Sequence, residues 1–152
     1  MRRIVVVLMM LALLVSACSS SGSDGQTTDT GVPESLDRCE ETDPRVLDYL
    51  RGGLIVDADI PWGFTVRSGD YPDVWIVAAA IDAPDVLNEL AYGTWAIRAD
   101  VWPTSYIGAV AQDEIAMLVS SFGDEADIIV VESTDGVRSA QDCAAARIDA
   151  TG

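Results

Sequence analysis

Between the turn cluster Ser68-Gly69-Asp70-Tyr71-Pro72-Asp73 and the breaker Asp82-Ala83-Pro84-Asp85 lies an unbroken apolar run, Val74-Trp75-Ile76-Val77-Ala78-Ala79-Ala80-Ile81. A run this short, bounded on both sides by turn residues and rich in β-branched and aromatic side chains, reads as a strand. Successive side chains of a strand point to opposite faces. A strand that is apolar at every position has no face to give to water, so it belongs in the middle of a sheet.

The rest of the chain arranges itself around that strand. Asp43 is a good cap and Pro44 a good first residue for a helix that places Val46, Leu47 and Leu50 on one side and stops at Gly52-Gly53. Leu54-Ile55-Val56 and Phe64-Thr65-Val66-Arg67 are short strand candidates. Thr94 to Val101 alternates, with Trp95, Ile97 and Ala99 on one side and Arg98 and Asp100 on the other, as a half-buried strand does. Tyr106 to Ala111 is a further strand. Ile115, Leu118, Val119 and Phe122 form a helical stripe between Glu114 and Phe122, and Ile128-Ile129-Val130-Val131 is a candidate last strand. A final helix begins near Asp135-Gly136 and carries Val137, Ala140, Cys143, Ala144 and Ile148. This order predicts the α+β class: an antiparallel sheet of about four or five strands with an N-terminal helix and two C-terminal helices packed on one face. One domain of that kind, residues 36–150, fits a chain of 152 residues.

The N-terminus follows a different logic. Met1-Arg2-Arg3 is a charged start, Ile4 to Val15 is an apolar core and Ser16-Ala17 is a pair of small residues. That is the three-part layout of a secretory signal, and it is too short to span a bilayer. Residues 1–17 are thus expected to be removed on export. Val15-Ser16-Ala17-Cys18 resembles the lipobox of bacterial lipoproteins: an aliphatic residue, two small ones and a cysteine. The resemblance implies cleavage before Cys18, diacylglycerol on its sulfur and a place on the outer face of the cytoplasmic membrane. Two or more acyl chains hold a protein stably where one does not. Residues 18–35 then read as the lipidated cysteine followed by a flexible Ser/Gly/Thr tether.

Export also bears on the other two cysteines. In an oxidising compartment Cys39 and Cys143 are expected to pair, closing almost the whole domain with one disulfide. With no histidine and no Cys-x-x-Cys motif, neither a zinc site nor a redox role is expected of them. The segments Val74-Trp75-Ile76-Val77-Ala78-Ala79, Gly93-Thr94-Trp95-Ala96, and Ile107-Gly108-Ala109-Val110-Ala111 leading to Ser120-Ser121-Phe122-Gly123-Asp124, with Cys143 near the end, resemble small uncharacterised lipoproteins of actinobacterial envelopes. That likeness implies an envelope location and no established activity.

Composition narrows the chemistry. The net charge is −16 overall, and seven arginines against 25 carboxylates leave −18 once Arg2 and Arg3 depart with the leader. Such a surface repels nucleic acid and favours cationic partners. Every basic residue is arginine, and there is neither lysine nor histidine. Histidine-based triads, Ser-Lys catalysis and Schiff-base chemistry are therefore closed to this chain. Phosphate-binding and dinucleotide-binding glycine motifs are absent from the sequence. Paired carboxylates, as in a cell-wall glycosidase, are the one reaction type left. The acidic clusters Asp57-Ala58-Asp59 and Asp124-Glu125-Ala126-Asp127 lack calcium-loop spacing and read as solvated loops. Arg67, Arg98 and Arg138 are expected to pair with neighbouring carboxylates, and Trp75 and Trp95 to lie in the core.

No catalytic residue, metal ligand or cofactor is expected. The preferred expectation is a membrane-anchored, non-enzymatic interaction module with an envelope protein as partner, Trp62 and Trp102 being candidates for its contact surface because each stands beside a proline. The alternative is a carrier or sensor of a small hydrophobic ligand held between sheet and helices. The glycosidase comes third.

Overall fold

A computed structural model describes residues 34–123 and 135–151. Five strands form one antiparallel sheet in chain order: β1 (Glu40–Glu41), β2 (Gly63–Arg67), β3 (Val74–Ile81), β4 (Ala91–Val101) and β5 (Ser105–Ala111). β3 is the central strand, as its two apolar faces require. It pairs along its whole length with β4, from Val74 opposite Arg98 to Ile81 opposite Ala91. On its other side Trp75 to Ala79 pair with Arg67 to Gly63 of β2.

The expected α+β architecture is present, with one difference. The helices were expected on one face of the sheet and instead divide between both. On one side α1 (Pro44–Arg51) and α2 (Glu114–Val119) cover Val77, Ala79, Ile81, Trp95, Ile97, Ala109 and Ala111. On the other, α3 (Val137–Thr151) lays Val137, Ala140, Cys143 and Ala144 over Val66, Val74, Ile76, Ala78 and Ala96. The reason lies in β3 and β4, whose buried positions alternate between the two layers, so that one layer of helices would leave half of them wet. Each large aliphatic side chain buried this way contributes about 1.5–3 kcal/mol.

Local chemistry explains the ends of the elements. Asp43 caps α1 by accepting from the Arg45 amide at 2.9 Å, and Pro44 opens the helix. α2 is shorter than the expected Glu114–Phe122. Ser120 leaves the helix at φ −130°, its hydroxyl donates to the Ala116 carbonyl at 2.7 Å, and the same oxygen accepts Trp95 Nε1 at 3.1 Å. Leu118, expected in the apolar stripe, points outward, half exposed, while Ala116 and Val119 face the sheet. Gly93 lets α2 approach, because a Cβ there would sit 2.8 Å from the Trp95 ring and 3.2 Å from the Ala116 backbone. Gly136, at φ +99°, makes the turn into α3 that an L side chain resists.

Three further sequence expectations meet a different outcome. Leu54-Ile55-Val56 forms only a single bridge, Leu54 to Ser120, rather than a strand. β4 starts at Ala91 rather than Thr94, and Thr94 and Ala96 are buried beneath α3, so the strand is covered on both sides over most of its length. The candidate strand Ile128–Val131 and the cluster Asp124–Asp127 lie outside the described residues, as do Cys18 and the leader. Among the described residues no helix is long and apolar enough to cross a membrane.

Cys39 and Cys143 form the expected disulfide, 104 residues apart in sequence and 5.9 Å apart between Cα atoms. It joins the segment after the short 3-10 turn Glu34–Arg38 to the middle of α3. Polar contacts reinforce the join. Arg38 donates to both carboxylate oxygens of Asp135 at 2.7 and 2.9 Å and to the Arg67 carbonyl at 2.7 Å, while Asp135 also accepts the Gly69 amide at 2.8 Å. The start of the domain, the β2–β3 turn and the approach to α3 thus meet at one place.

Candidate docking groove

The two layers of helices leave a seam at one end of the sheet, where β4 begins and β5 ends. A groove of about 670 Å³ opens there between α2 and α3. Leu90, Ile115, Met117 and Ile148 form its apolar wall, with Met117 60% and Leu90 37% exposed. Glu89, Asp113 and Glu114 supply carboxylates, Gln112, Gln141 and Tyr92 supply neutral polar groups, and no basic residue lines it among the described residues. A smaller depression of about 360 Å³ continues past Tyr92 and Gln141 to Asp142 and Arg138.

Asp113 is the most constrained polar group of the groove. Its Oδ1 caps α2, accepting the Ala116 amide at 2.8 Å. Among the described residues its Oδ2 is buried without a hydrogen-bond partner, as is the hydroxyl of fully buried Thr94. The Thr94 hydroxyl lies near enough to favour the ionised carboxylate in part, yet neither atom meets hydrogen-bond geometry with the other. Burial dominates and pushes the Asp113 carboxyl above its ordinary value, with the cap and Thr94 opposing. Burial likewise raises the Tyr92 phenol, helped by the charges of Asp113 and Asp142.

The sign for Asp113 is opposite to that of the arginine-paired acids. A raised folded-state pKa means the native state binds the proton more tightly than the unfolded chain, so the Asp113 contribution to stability falls as pH rises from the ordinary carboxylate value through the raised one. Asp43 is held down to about 2 by the Arg45 guanidinium and amide, Asp73 is lowered by Arg98, and Asp135 is lowered by Arg38. What those three contribute is present above the ordinary carboxylate value and is lost as pH falls toward their depressed ones. All three pairs are well exposed and screened, so each is a small effect.

The residues singled out from sequence do not converge on the groove. Trp62 leads into β2 on the α3 side of the sheet, where the Arg147 guanidinium lies over its ring at 4.9 Å and Phe64 meets it edge-on at 6.0 Å. Trp102 stands in the β4–β5 turn on the α1 side, stacked on Trp75 at 4.6 Å and 6°. The two tryptophans therefore belong to opposite layers and do not share a surface. From Trp102 an aromatic row continues through Tyr106 to Tyr49, 4.3 Å from Tyr106, and on to Phe122 at 5.3 Å. Every ring in that row is half-buried, and together they tie α1 to β3, to β5 and to the segment after α2.

Other side chains fall partly where expected. Trp95 is fully buried, whereas Trp75 is only half so. Arg98 pairs with Asp73 at 2.6 Å. Arg67 instead donates to the Pro72 carbonyl and lies 5.8 Å from the Trp75 ring centre, and Arg138 has no carboxylate within salt-bridge distance among the described residues. Asp59 of the loop acid pair is occupied by Arg51 at 3.0 Å and by the Ile60 amide at 2.8 Å.

The groove itself escaped the sequence reading. Met117 sits on α2 away from the apolar stripe, and an outward apolar residue on an amphipathic helix is the one signal that pointed to it. Compared with protein-family models, with curated proteins and with solved structures, the chain has no match.

Proposed function

We propose that the chain is a lipid-anchored, extracytoplasmic module that docks an envelope protein in the groove between β4, α2 and α3 and catalyses no reaction. Acyl chains on Cys18 hold it to the outer face of the cytoplasmic membrane, and residues 19–35 tether the domain to that anchor. One observation carries the docking: an open groove of about 670 Å³ whose apolar wall, with Met117 and Leu90 exposed, is rimmed by the exposed carboxylates of Glu89 and Glu114. Exposed apolar surface rimmed by polar groups marks interaction sites.

The carrier reading places its ligand between the sheet and the helices. That space is filled by Leu50, Trp95, Ile97 and Val119 on one side of the sheet and by Val66, Ile76, Ala140 and Ala144 on the other. A close-packed interior of this kind favours a surface groove over an internal pocket as the place of binding.

Chemical cross-linking in intact cells at native expression level tests the proposal, with the wild-type and Cys18→Ser chains compared by mass spectrometry. The expected result is one envelope protein captured reproducibly by the anchored chain and lost with Cys18→Ser, which appears in the medium or unprocessed. Absence of any reproducible partner contradicts the docking. A Cys18→Ser chain that remains membrane-held with unchanged processing contradicts the anchor.

A further inference from the structure

From the lining of the groove we infer that its occupant is a cationic amphipathic segment of a partner protein: one apolar side for Leu90, Ile115, Met117 and Ile148, and Lys or Arg side chains for the exposed carboxylates of Glu89 and Glu114. The inference rests on the docking reading and names the class of partner. Charge complementarity decides it. Among the described residues three carboxylates and no basic group line the groove, two of the carboxylates being exposed, and the whole chain carries −16. Glu89 and Glu114 are solvent-exposed at the rim, where a cationic side chain can reach them without loss of hydration. The protein's field raises the encounter rate of positive partners over long range, and the rim carboxylates then fix orientation.

The same lining argues against the other occupants. A fatty acid or other anionic amphiphile would bring its head group against the exposed carboxylates of Glu89 and Glu114. A small inorganic cation has no use for the apolar wall. An acidic peptide meets repulsion at the rim. A helix that lays an apolar stripe into such a groove presents anchors at i, i+3 or i+4, and i+7, and its basic residues flank that stripe.

The experiment uses the full acylated chain, extracted from membranes and reconstituted in phosphatidylcholine vesicles, with amide hydrogen exchange read at residues 89–92 and 112–117. Three synthetic peptides are titrated: an amphipathic helix of Leu and Lys, its Leu/Glu counterpart, and a Lys/Gly/Ser peptide without an apolar side. The Leu/Lys helix is expected to slow exchange at both segments, and the other two are not. Removing the apolar wall by Leu90→Ser with Met117→Ser, or reversing the rim by Glu89→Lys with Glu114→Lys, is expected to weaken that binding by about tenfold each. All four side chains are exposed, and far-ultraviolet circular dichroism verifies that each variant keeps the fold. Equal protection by the Leu/Glu helix overturns the cationic class while leaving the groove a docking surface. Protection by none of the peptides also overturns the class, and the docking reading is then judged by the cellular cross-linking alone. Binding of the Leu/Lys helix that survives both pairs of substitutions overturns the assignment to this groove.

Discussion

Trp95→Ala lowers the unfolding free energy by about 3–5 kcal/mol, the range for deleting a buried large aromatic side chain. Trp95 is the largest fully buried side chain and lies on β4 under α2. Its removal opens a cavity that the neighbouring strands cannot close, because β4 is paired at Trp95 with both β3, at Val77, and β5, at Ala111. It also leaves Ser120 without the Nε1 donor, although that hydroxyl keeps the Ala116 carbonyl. Trp95→Phe retains much of the volume and loses mainly the hydrogen bond, about 1 kcal/mol, together with a smaller cavity. For a domain whose whole stability is of order 5–15 kcal/mol, the alanine loss is severe. Urea unfolding followed by circular dichroism measures it. An alanine variant within about 1 kcal/mol of wild type would contradict the packing described for this face.

Breaking the disulfide has an effect of similar size by a different route. Cys39→Ala with Cys143→Ala removes a cross-link that spans 104 residues, and a loop of that length is worth up to about 4–5 kcal/mol on the chain-entropy account, less where the reduced chain keeps structure. The native fold should lose little by itself. Cys143 lies in the apolar layer beneath α3 at 2% exposure, so alanine leaves no buried polar atom, and Arg38 still reaches Asp135. The expected loss is therefore about 2–4 kcal/mol in unfolding free energy with the folded-state spectrum retained. Dithiothreitol provides the internal comparison: it should destabilise the wild type by the same amount and leave the double variant unchanged. A wild type indifferent to reductant would mean that the two thiols are not bridged.

The central strand was legible because Val74–Ile81 is apolar at every position and bounded by turn residues, and its observed limits are those of the sequence pattern. α1 was legible for a similar reason: Asp43, Pro44 and Gly52 are specific chemical signals for a start and a stop. β1 was not, since Glu40-Glu41 carries no apolar pattern. It exists because the Thr42 and Thr65 hydroxyls meet at 3.0 Å and Glu40 and Glu41 pair with Thr65 and Phe64. The early end of α2 is a tertiary effect as well. Helical periodicity continues to Phe122, but the bond between Ser120 and Trp95, twenty-five residues away, turns the chain out of the helix.

The candidate site was the least legible part, for a geometric reason. Its members come from the β3–β4 connection, from β4, from the β5–α2 connection, from α2 and from α3, and each of these segments is unremarkable by its own composition. Tyr92, Asp113 and Met117 become neighbours of one groove only when the helices divide between the two faces of the sheet, which the element order alone did not specify. Trp62 and Trp102 attracted attention as aromatic residues beside prolines. In the folded chain Trp62 is occupied by Arg147 and Trp102 by Trp75.

Site-specific photo-cross-linking in living cells tests the claim that the groove is the docking surface most directly. A photoreactive amino acid replaces Met117 in the groove in one strain, and in a second it replaces Tyr71, 44% exposed in the β2–β3 turn at the opposite end of the sheet. One envelope protein is expected to be captured from position 117 and not from position 71, with its captured peptide rich in basic and apolar residues. Capture from position 71 but not from 117, or from neither, would contradict it.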